Sequence, residues 1–202
     1  MHSVFERRLL NQEHLTHEEI EELSTLDVGE QRARLIIDQG VHAARQTLAH
    51  YRLSEFITEV RVNPGRRIGR EDFWGTADLV AADAQRRILM VGDFKTGRGR
   101  VDVRNNTQLL SYGLGSLELL DFVPVRVIFA IFQPPLLGAK PALWETNLNA
   151  IQEFESLVSE RASQTDRSDI EPVPSSDACQ WCPAKSLCPS WRSVNGSSLR
   201  NF

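Results

Sequence analysis

An α/β fold, with a mixed central β-sheet flanked by helices, is predicted by the order of periodic segments along the chain. Some segments repeat apolar residues at helical spacing, and shorter ones alternate or run continuously apolar, as strands do. The order is helix, three strands, helix, strand, helix, which is typical of a layered α/β domain. With 202 residues, the chain suits one domain that carries a small appendage.

The helices are predicted where apolar residues return every three or four positions. Thr16 is a suitable N-cap for the second helix, with Glu19 in the capping-box position. The longest helix has an apolar face opposite a face of arginine, glutamine and aspartate. The predicted helices are 3–10, one that begins at Thr16, 30–51, 104–120 and 147–162.

The strands are predicted from alternation, β-branched content and flanking turn residues. The short segment 83–86 joins the second strand to the third, which predicts a hairpin. The fourth strand is almost entirely apolar, as expected of a strand buried on both faces, and Pro134-Pro135 ends it. The predicted strands are 56–62, 76–82, 87–94 and 125–133.

Three segments are expected along the chain. Residues 1–162 form the α/β domain, and residues 163–178, rich in serine, aspartate and proline, form a linker. Residues 179–202 form a small tail that holds all three cysteines and is expected to pack on the same domain. A basic loop at 96–100, expected to be flexible, follows the third strand.

Composition and charge exclude several classes of protein. Hydrophobic residues make up 41% and charged residues 25%, which excludes a disordered chain or a coiled-coil rod. No apolar run suits a membrane helix or a secretory signal, so a cytoplasmic location without membrane contact is expected. No glycine-rich phosphate loop supports an ATPase or a dehydrogenase. Residues 61–104 carry a net charge of +4 in a chain of net charge −4, which either faces a polyanion or reflects ordinary charge fluctuation.

Two carboxylates and an amine are predicted to converge where the hairpin strands meet. Asp93 and Lys95 are two apart in a strand and share a face, and the hairpin brings Asp78 beside them. Carboxylate oxygens are natural ligands of Mg²⁺ or Mn²⁺, and a lysine beside such an ion can orient water or neutralise phosphate charge. Gln108 and Tyr112, one helical turn apart, could hold that lysine or a phosphate; alternatively, Tyr112 simply packs on the sheet.

These residues, in this order, resemble the PD-(D/E)XK nuclease superfamily, and within it the RecB-like exonucleases, including CRISPR-associated and phage-encoded members. The resemblance is carried by Gly75-Thr76-Ala77-Asp78, Asp93-Phe94-Lys95 and Gln108-x-x-x-Tyr112. It implies a restriction-endonuclease-like core. It also implies that Asp78, Asp93 and the backbone carbonyl of Phe94 bind Mg²⁺ or Mn²⁺, with Lys95 as a catalytic residue.

A histidine often completes the metal shell in this branch, and its position here is open. His2 with Glu6 matches the H-x-x-x-E part of the branch's pattern. The glycine that should precede it is absent because the chain begins at Met1, which suggests a shortened N-terminus. His42 on the long helix is the alternative. Glu59 on the first strand is a further acidic candidate, unless it is an ordinary solvent-facing carboxylate.

The three cysteines of the tail, Cys179, Cys182 and Cys188, have the close spacing of metal ligands. In the RecB-like branch, three C-terminal cysteines join one far upstream to hold a [4Fe–4S] cluster. The resemblance implies that cluster here, although the upstream cysteine is missing from this chain. The alternatives are a Zn²⁺ site completed by a histidine, or three reduced, partly buried cysteines without a metal.

The sequence therefore predicts a metal-dependent deoxyribonuclease and, by analogy, an exonuclease of low sequence specificity in DNA processing, recombination or repair. Gln108 and Tyr112 would orient Lys95 or the scissile phosphate, while Arg98 and Arg100 would contact backbone phosphates. DNA is the expected partner, together with proteins of a DNA-processing complex. One alternative is a nucleic-acid-binding or assembly module that keeps a degenerate nuclease fold. Another is an unrelated α/β protein with a zinc knuckle, in which the carboxylates and the lysine do not converge.

Overall fold

The fold is built on one five-stranded sheet. The computed structural model describes residues 2–10, 16, 21, 29–180 and 182–198. The strands, which lie side by side in chain order, are β1 (Phe56–Val62), β2 (Gly75–Asp83), β3 (Ile88–Phe94), β4 (Arg126–Phe132) and β5 (Ala142–Thr146). All neighbours pair antiparallel except β3 and β4, which are parallel. The predicted α/β fold with a mixed sheet flanked by helices is confirmed.

Helices of the first part of the chain cover both faces of this sheet, and two further helices lie near the C-terminus. They are α1 (His2–Leu9), α2 (Glu30–Tyr51), α3 (Thr107–Ser116), α4 (Pro134–Leu137), α5 (Leu148–Thr165), α6 (Ser176–Gln180) and α7 (Pro189–Ser198). The helix α3 begins later than predicted because the Asn106 side chain accepts the backbone N–H of Leu109 at 3.1 Å and caps it. The helix predicted to begin at Thr16 lies outside the described residues beyond Thr16 itself and Glu21.

Two hydrophobic cores lie on opposite faces of the sheet because the central strands alternate. In β3, Met90 and Phe94 pack in the core with α1 and α2, whereas Leu89 and Val91 pack with α3 and α5. Every residue of β3 is buried, and in β4 only Arg126 is exposed. The parallel pair is therefore covered on both sides, as the apolar fourth strand predicts.

The predicted hairpin between β2 and β3 is confirmed, and its turn sets the register. The Asp83 carboxylate accepts the backbone N–H of Arg86 at 2.8 Å and pairs with its guanidinium at 2.6 Å. The resulting register places Leu79 opposite Gly92. Asp78 and Asp93 are the next residues along their strands, so the hairpin brings the two carboxylates to the same end of the sheet.

Several short elements differ from the prediction. The strand β5 has only five residues and no counterpart in the prediction, although its burial alternates around the buried Trp144. Pro134-Pro135 ends β4 as expected but also opens α4, because proline suits the first turn of a helix. The helices α6 and α7 lie partly or wholly in the tail, where no helix is predicted. None of the described helices has the length and apolar content needed to cross a bilayer.

Residue contacts divide the chain into two compact units, Met1–Val158 and Ser159–Phe202. The first contains the sheet with α1 to α4 and most of α5. The second contains the end of α5, the helices α6 and α7, and the three cysteines. All the site residues described below belong to the first unit.

Candidate metal centre

The site lies beside a distortion in the β1–β2 pair. Glu59 has a φ of 47°, in the left-handed region, although it lies inside β1, where its neighbours Thr58 and Val60 pair with Leu79 and Ala77 of β2. For a residue other than glycine, this conformation costs on the order of 1 to 2 kcal/mol. Backbone strain of this kind is frequent at functional sites, so the outlier directs attention to Glu59.

The distortion changes which face of the sheet the side chains of β1 meet. Thr58 donates its hydroxyl to Glu6 of α1 at 3.1 Å, so it lies on the α1 face. Val60, two residues further on, packs against the core on the α3 face. In a regular strand both side chains would share one face. Glu59 therefore lies where the alternation reverses.

A histidine and two carboxylates form a group that could hold one metal ion. His2, Glu59 and Asp78 each place one ligand atom within 4.8 Å of the others. The Nδ1 atom of His2 lies 3.2 Å from Asp78 Oδ1, while Asp78 Oδ2 accepts the backbone N–H of Phe94 at 2.6 Å. Phe5 stacks on Phe94 with ring centroids 4.3 Å apart. This stacking fixes α1 over the end of β3 and so positions His2.

A line of polar contacts runs from Asp93, a third carboxylate near the ligand group, to α3. Lys95 Nζ lies 2.8 Å from Asp93 Oδ2 and donates to Gln108 Oε1 at 2.8 Å. Gln108 donates through Nε2 to the Tyr112 hydroxyl at 2.8 Å. The structure therefore gathers all four side chains, and α3 presents its two from one face because they are one turn apart.

Burial and repulsion from Asp78 disfavour the ionised forms of Asp93 and Glu59. Burial raises the pKa of Asp93 to about 6; Lys95 opposes the rise and Asp78 adds to it. Burial also raises the pKa of Glu59, again with a contribution from Asp78. The hydrogen bond to Asp78 raises the pKa of His2. Buried carboxylates that resist ionisation fit a divalent cation, whose charge would relieve the repulsion.

One carboxylate oxygen near the ligand group lies next to an ammonium group but accepts no hydrogen bond of good geometry. Asp93 Oδ2 is buried and, although the Lys95 ammonium is close, the described residues provide no hydrogen bond of good geometry to it. Buried polar atoms are normally hydrogen-bonded, and exceptions are frequent where an ion or a ligand binds. The trio of one imidazole and two carboxylates suits a divalent cation.

Two glycines let aromatic rings pack closely around the site. A Cβ at Gly75 would lie 2.7 Å from a ring carbon of Tyr112, so only glycine lets this ring rest on the start of β2. At Gly40 of α2, a Cβ would collide with the ring of Phe94. The glycine of the Gly75-Thr76-Ala77-Asp78 motif therefore has a packing role beside the polar line.

The arginines predicted to contact DNA lie on a loop held by a buried amide. Arg98 and Arg100 are exposed and make no ion pair or hydrogen bond within the part of the chain that the structure describes. The Gln133 side chain donates to the carbonyls of Gly97 and Gly99 at 2.9 and 2.7 Å. The loop predicted to be flexible thus has a backbone anchored on both sides of Arg98.

The structure adds information on Glu59 and on Gln133, two residues that the motifs do not single out. Glu59 is half-buried and belongs to the ligand group, whereas His42 is exposed on α2 and does not. Gln133 has no role in the motifs. A polar side chain directly after an apolar strand is the signal that could have found it. Phe94 contributes its backbone N–H, which contacts Asp78.

The three cysteines do not form a comparable ligand group in the described residues. Cys179 is buried, Cys182 is exposed and Cys188 is half-buried. Within residues 2–10, 16, 21, 29–180 and 182–198, His2, Glu59 and Asp78 are the one trio of potential ligands at single-ion distances. The predicted iron–sulfur or zinc site therefore gains no support from the structure.

The chain belongs to the family described as "Protein of unknown function (DUF2800)", which matches residues 2–199. Among solved structures, the crystal structure of SSO0001 is similar, with a TM-score of 0.39 and 17% sequence identity over 93% of this chain and 95% of that chain. The family description assigns no activity. The function must therefore be argued from the side chains of the site.

Proposed function

We propose that this protein is a metal-dependent deoxyribonuclease of the RecB-like PD-(D/E)XK kind. The observation that carries the proposal is the line Asp93–Lys95–Gln108–Tyr112, which lies beside the metal-binding trio. Either feature alone has structural explanations. Together they supply ligands for a divalent cation and an adjacent ammonium, which is what phosphodiester hydrolysis requires.

The proposed ligands of Mg²⁺ or Mn²⁺ are His2, Glu59, Asp78 and Asp93, with the carbonyl of Phe94 as a further candidate. The bound ion would polarise the phosphodiester and lower the pKa of a coordinated water. The protein's contribution is to hold the carboxylates in a buried, water-poor place before the ion arrives. The hydrogen bond from the Phe94 N–H fixes Asp78 for this purpose.

Lys95 is the proposed catalytic cation. Its ammonium is held between Asp93 and the side-chain carbonyl of Gln108, so it cannot swing freely. From there it can orient the attacking water or neutralise charge that develops on the phosphate. Tyr112 fixes Gln108 in turn, because its hydroxyl accepts the amide N–H. The two α3 residues therefore act by positioning the lysine or the scissile phosphate.

The substrate is proposed to be DNA, bound with little sequence preference. Arg98 and Arg100 are exposed on the loop that follows Lys95 and would contact backbone phosphates. Phosphate contacts carry no base information, so weak specificity follows. Exonucleolytic action in DNA processing, recombination or repair comes from the family resemblance alone.

The test is cleavage of linear and circular DNA by the purified protein, with Mn²⁺ or with EDTA. We expect Mn²⁺-dependent cleavage that is lost in Lys95→Ala and retained in Lys140→Ala, a matched change at an exposed lysine. Cleavage restricted to linear DNA would make the enzyme an exonuclease. If the Mn²⁺-loaded protein binds DNA without cutting it, the nuclease proposal fails and the binding module takes its place.

A further inference from the structure

The Gln133 side chain is buried and uses all its hydrogen-bonding groups on one loop. It is 1% exposed and directly follows the last residue of β4. Its Nε2 donates to the carbonyls of Gly97 and Gly99, and its Oε1 accepts the backbone N–H of Val101 at 3.3 Å. One amide thus fixes the backbone at three points within five consecutive residues.

The anchored loop connects two residues of the proposed catalytic machinery. It begins after Lys95 at the end of β3 and leads to α3, which carries Gln108. The backbone N–H of Lys95 donates to the carbonyl of Phe132 at 2.8 Å. Consecutive residues of β4, Phe132 and Gln133, therefore hold the lysine backbone and the loop, which ties the loop's position to that of Lys95.

The anchoring leaves two cations facing outward. Arg98 lies between the two glycines whose carbonyls are bound, and Arg100 lies between Gly99 and the bound N–H of Val101. Both guanidinium groups are exposed. Glycine-flanked arginines on an unanchored loop would sample many positions, and ordering them on binding would cost affinity. Fixing the backbone in advance lowers that cost.

We infer that Gln133 is a positioning residue for nucleic-acid binding, which holds Arg98 and Arg100 where they contact DNA phosphates next to Lys95. The inference rests on the proposed nuclease function and adds to it a specific phosphate-binding element. That element consists of the loop 97–101 and the amide that anchors it. The ligand it recognises is the phosphodiester backbone, so it serves any base sequence.

The first measurement is DNA affinity by fluorescence anisotropy over a range of salt concentrations, with Ca²⁺ in place of Mn²⁺. Replacing both arginines by alanine should lower the salt slope of the affinity by about 2. Gln133→Leu should weaken binding by about three- to tenfold and add nothing further in the arginine-free background. A merely structural glutamine would instead give equal losses in both backgrounds, or none, and either result would overturn the inference.

The second measurement needs no DNA. Trypsin cleaves after arginine, and an anchored loop resists it better than a free one. Cleavage after Arg98 and Arg100 should be faster in Gln133→Leu than in wild type, and unchanged in Gln85→Leu, an exposed amide at the opposite end of the hairpin.

A further variant tests which atoms of the Gln133 side chain hold the loop. Gln133→Glu keeps the side-chain size and the acceptor for Val101 but sets oxygen against the two glycine carbonyls, so it should also speed cleavage. Equal cleavage rates in all variants would refute the anchoring role. No DNA binding by wild-type protein, with loop protection as expected, would refute the proposed function while leaving the anchor intact.

Discussion

The carboxylates at the two ends of the central strands differ in how fully they are hydrogen-bonded. Beside the start of β4, Glu145 of β5 accepts the Tyr51 hydroxyl through Oε1 at 2.5 Å and the Arg126 guanidinium through Oε2 at 2.6 and 3.0 Å. At the end of β3, Asp93 has a buried oxygen whose neighbour is the Lys95 ammonium. One end is a closed network, and the other leaves binding capacity unused.

The pKa values report the same difference. Hydrogen bonds from Tyr51 and Arg126 lower the pKa of Glu145. Burial raises the pKa of Asp93 to about 6. A carboxylate that the protein satisfies serves the fold, whereas one whose ionised form is disfavoured by burial, even beside an ammonium, is a candidate for chemistry. The contrast supports the proposed metal centre beside Asp78 and Asp93.

The largest effect is expected on catalysis. Asp78→Asn keeps the shape of the side chain but removes the charge that would hold the metal, so cleavage with Mn²⁺ should fall by about a thousandfold. Glu145→Gln, the same kind of change at the closed end, should leave kcat within twofold, about the scatter of such assays. Initial rates on linear DNA check this. Equal losses in both variants would remove the distinction between the two ends.

The carboxylates at the two ends should contribute to the pH dependence of stability in opposite directions. In EDTA, Asp93 holds its proton more tightly when folded, so its contribution to stability falls as the pH rises from 3.8 to about 6, by on the order of 2 to 3 kcal/mol. His2 acts in the same direction because its folded pKa is also raised. Glu145 acts oppositely: its smaller, solvent-screened contribution is present above 4.5 and lost on acidification.

Urea unfolding between pH 4 and 7 checks the Asp93 contribution. Asp93→Asn has no carboxyl group to titrate, so its stability should vary less with pH than that of wild type. If the free energy of unfolding depends on pH in the same way for both proteins, burial does not raise the pKa of Asp93.

A smaller effect is expected at the strained strand residue. Glu59→Asn should raise the free energy of unfolding in EDTA by about 1 kcal/mol, because asparagine tolerates a positive φ and the repulsion with Asp78 is removed. The same change should weaken Mn²⁺ binding. Glu55→Asn, at an exposed position near the start of β1, is the control for both readouts. A less stable Glu59→Asn protein would mean that the strain is not released as expected.

The closed network is expected to affect stability alone. Tyr51→Phe removes one hydroxyl donor and should cost about 1 kcal/mol of unfolding free energy, with unchanged cleavage. Thermal melts and the linear-DNA assay measure the two quantities on the same preparation. A loss of cleavage without a loss of stability would show that this end of the sheet also serves the reaction.

Much of the site was predictable because local rules place its residues. A two-residue spacing puts Asp93 and Lys95 on one strand face, and a four-residue spacing puts Gln108 and Tyr112 on one helix face. The hairpin that adds Asp78 follows from a short polar turn. These rules depend on sequence neighbours alone, and the structure agrees with each of them.

The remainder depends on contacts between distant segments. A positive φ inside a paired strand, as at Glu59, has no local sequence signal. The partners of Gln133 lie 32 to 36 residues away. They are backbone groups, and since nearly every residue has the same ones, the sequence does not mark them as partners. The strand β5 is too short for its alternation to be read. Each of these features appears only when the sheet is assembled.

The most direct test of the metal centre is a Mn²⁺ titration followed by electron paramagnetic resonance, on wild type, Asp78→Asn and Glu145→Gln. Wild type and Glu145→Gln should bind Mn²⁺ with the same affinity, and Asp78→Asn should bind it at least about tenfold more weakly. Equal binding by all three proteins, or no binding by wild type, would contradict a metal centre that includes Asp78.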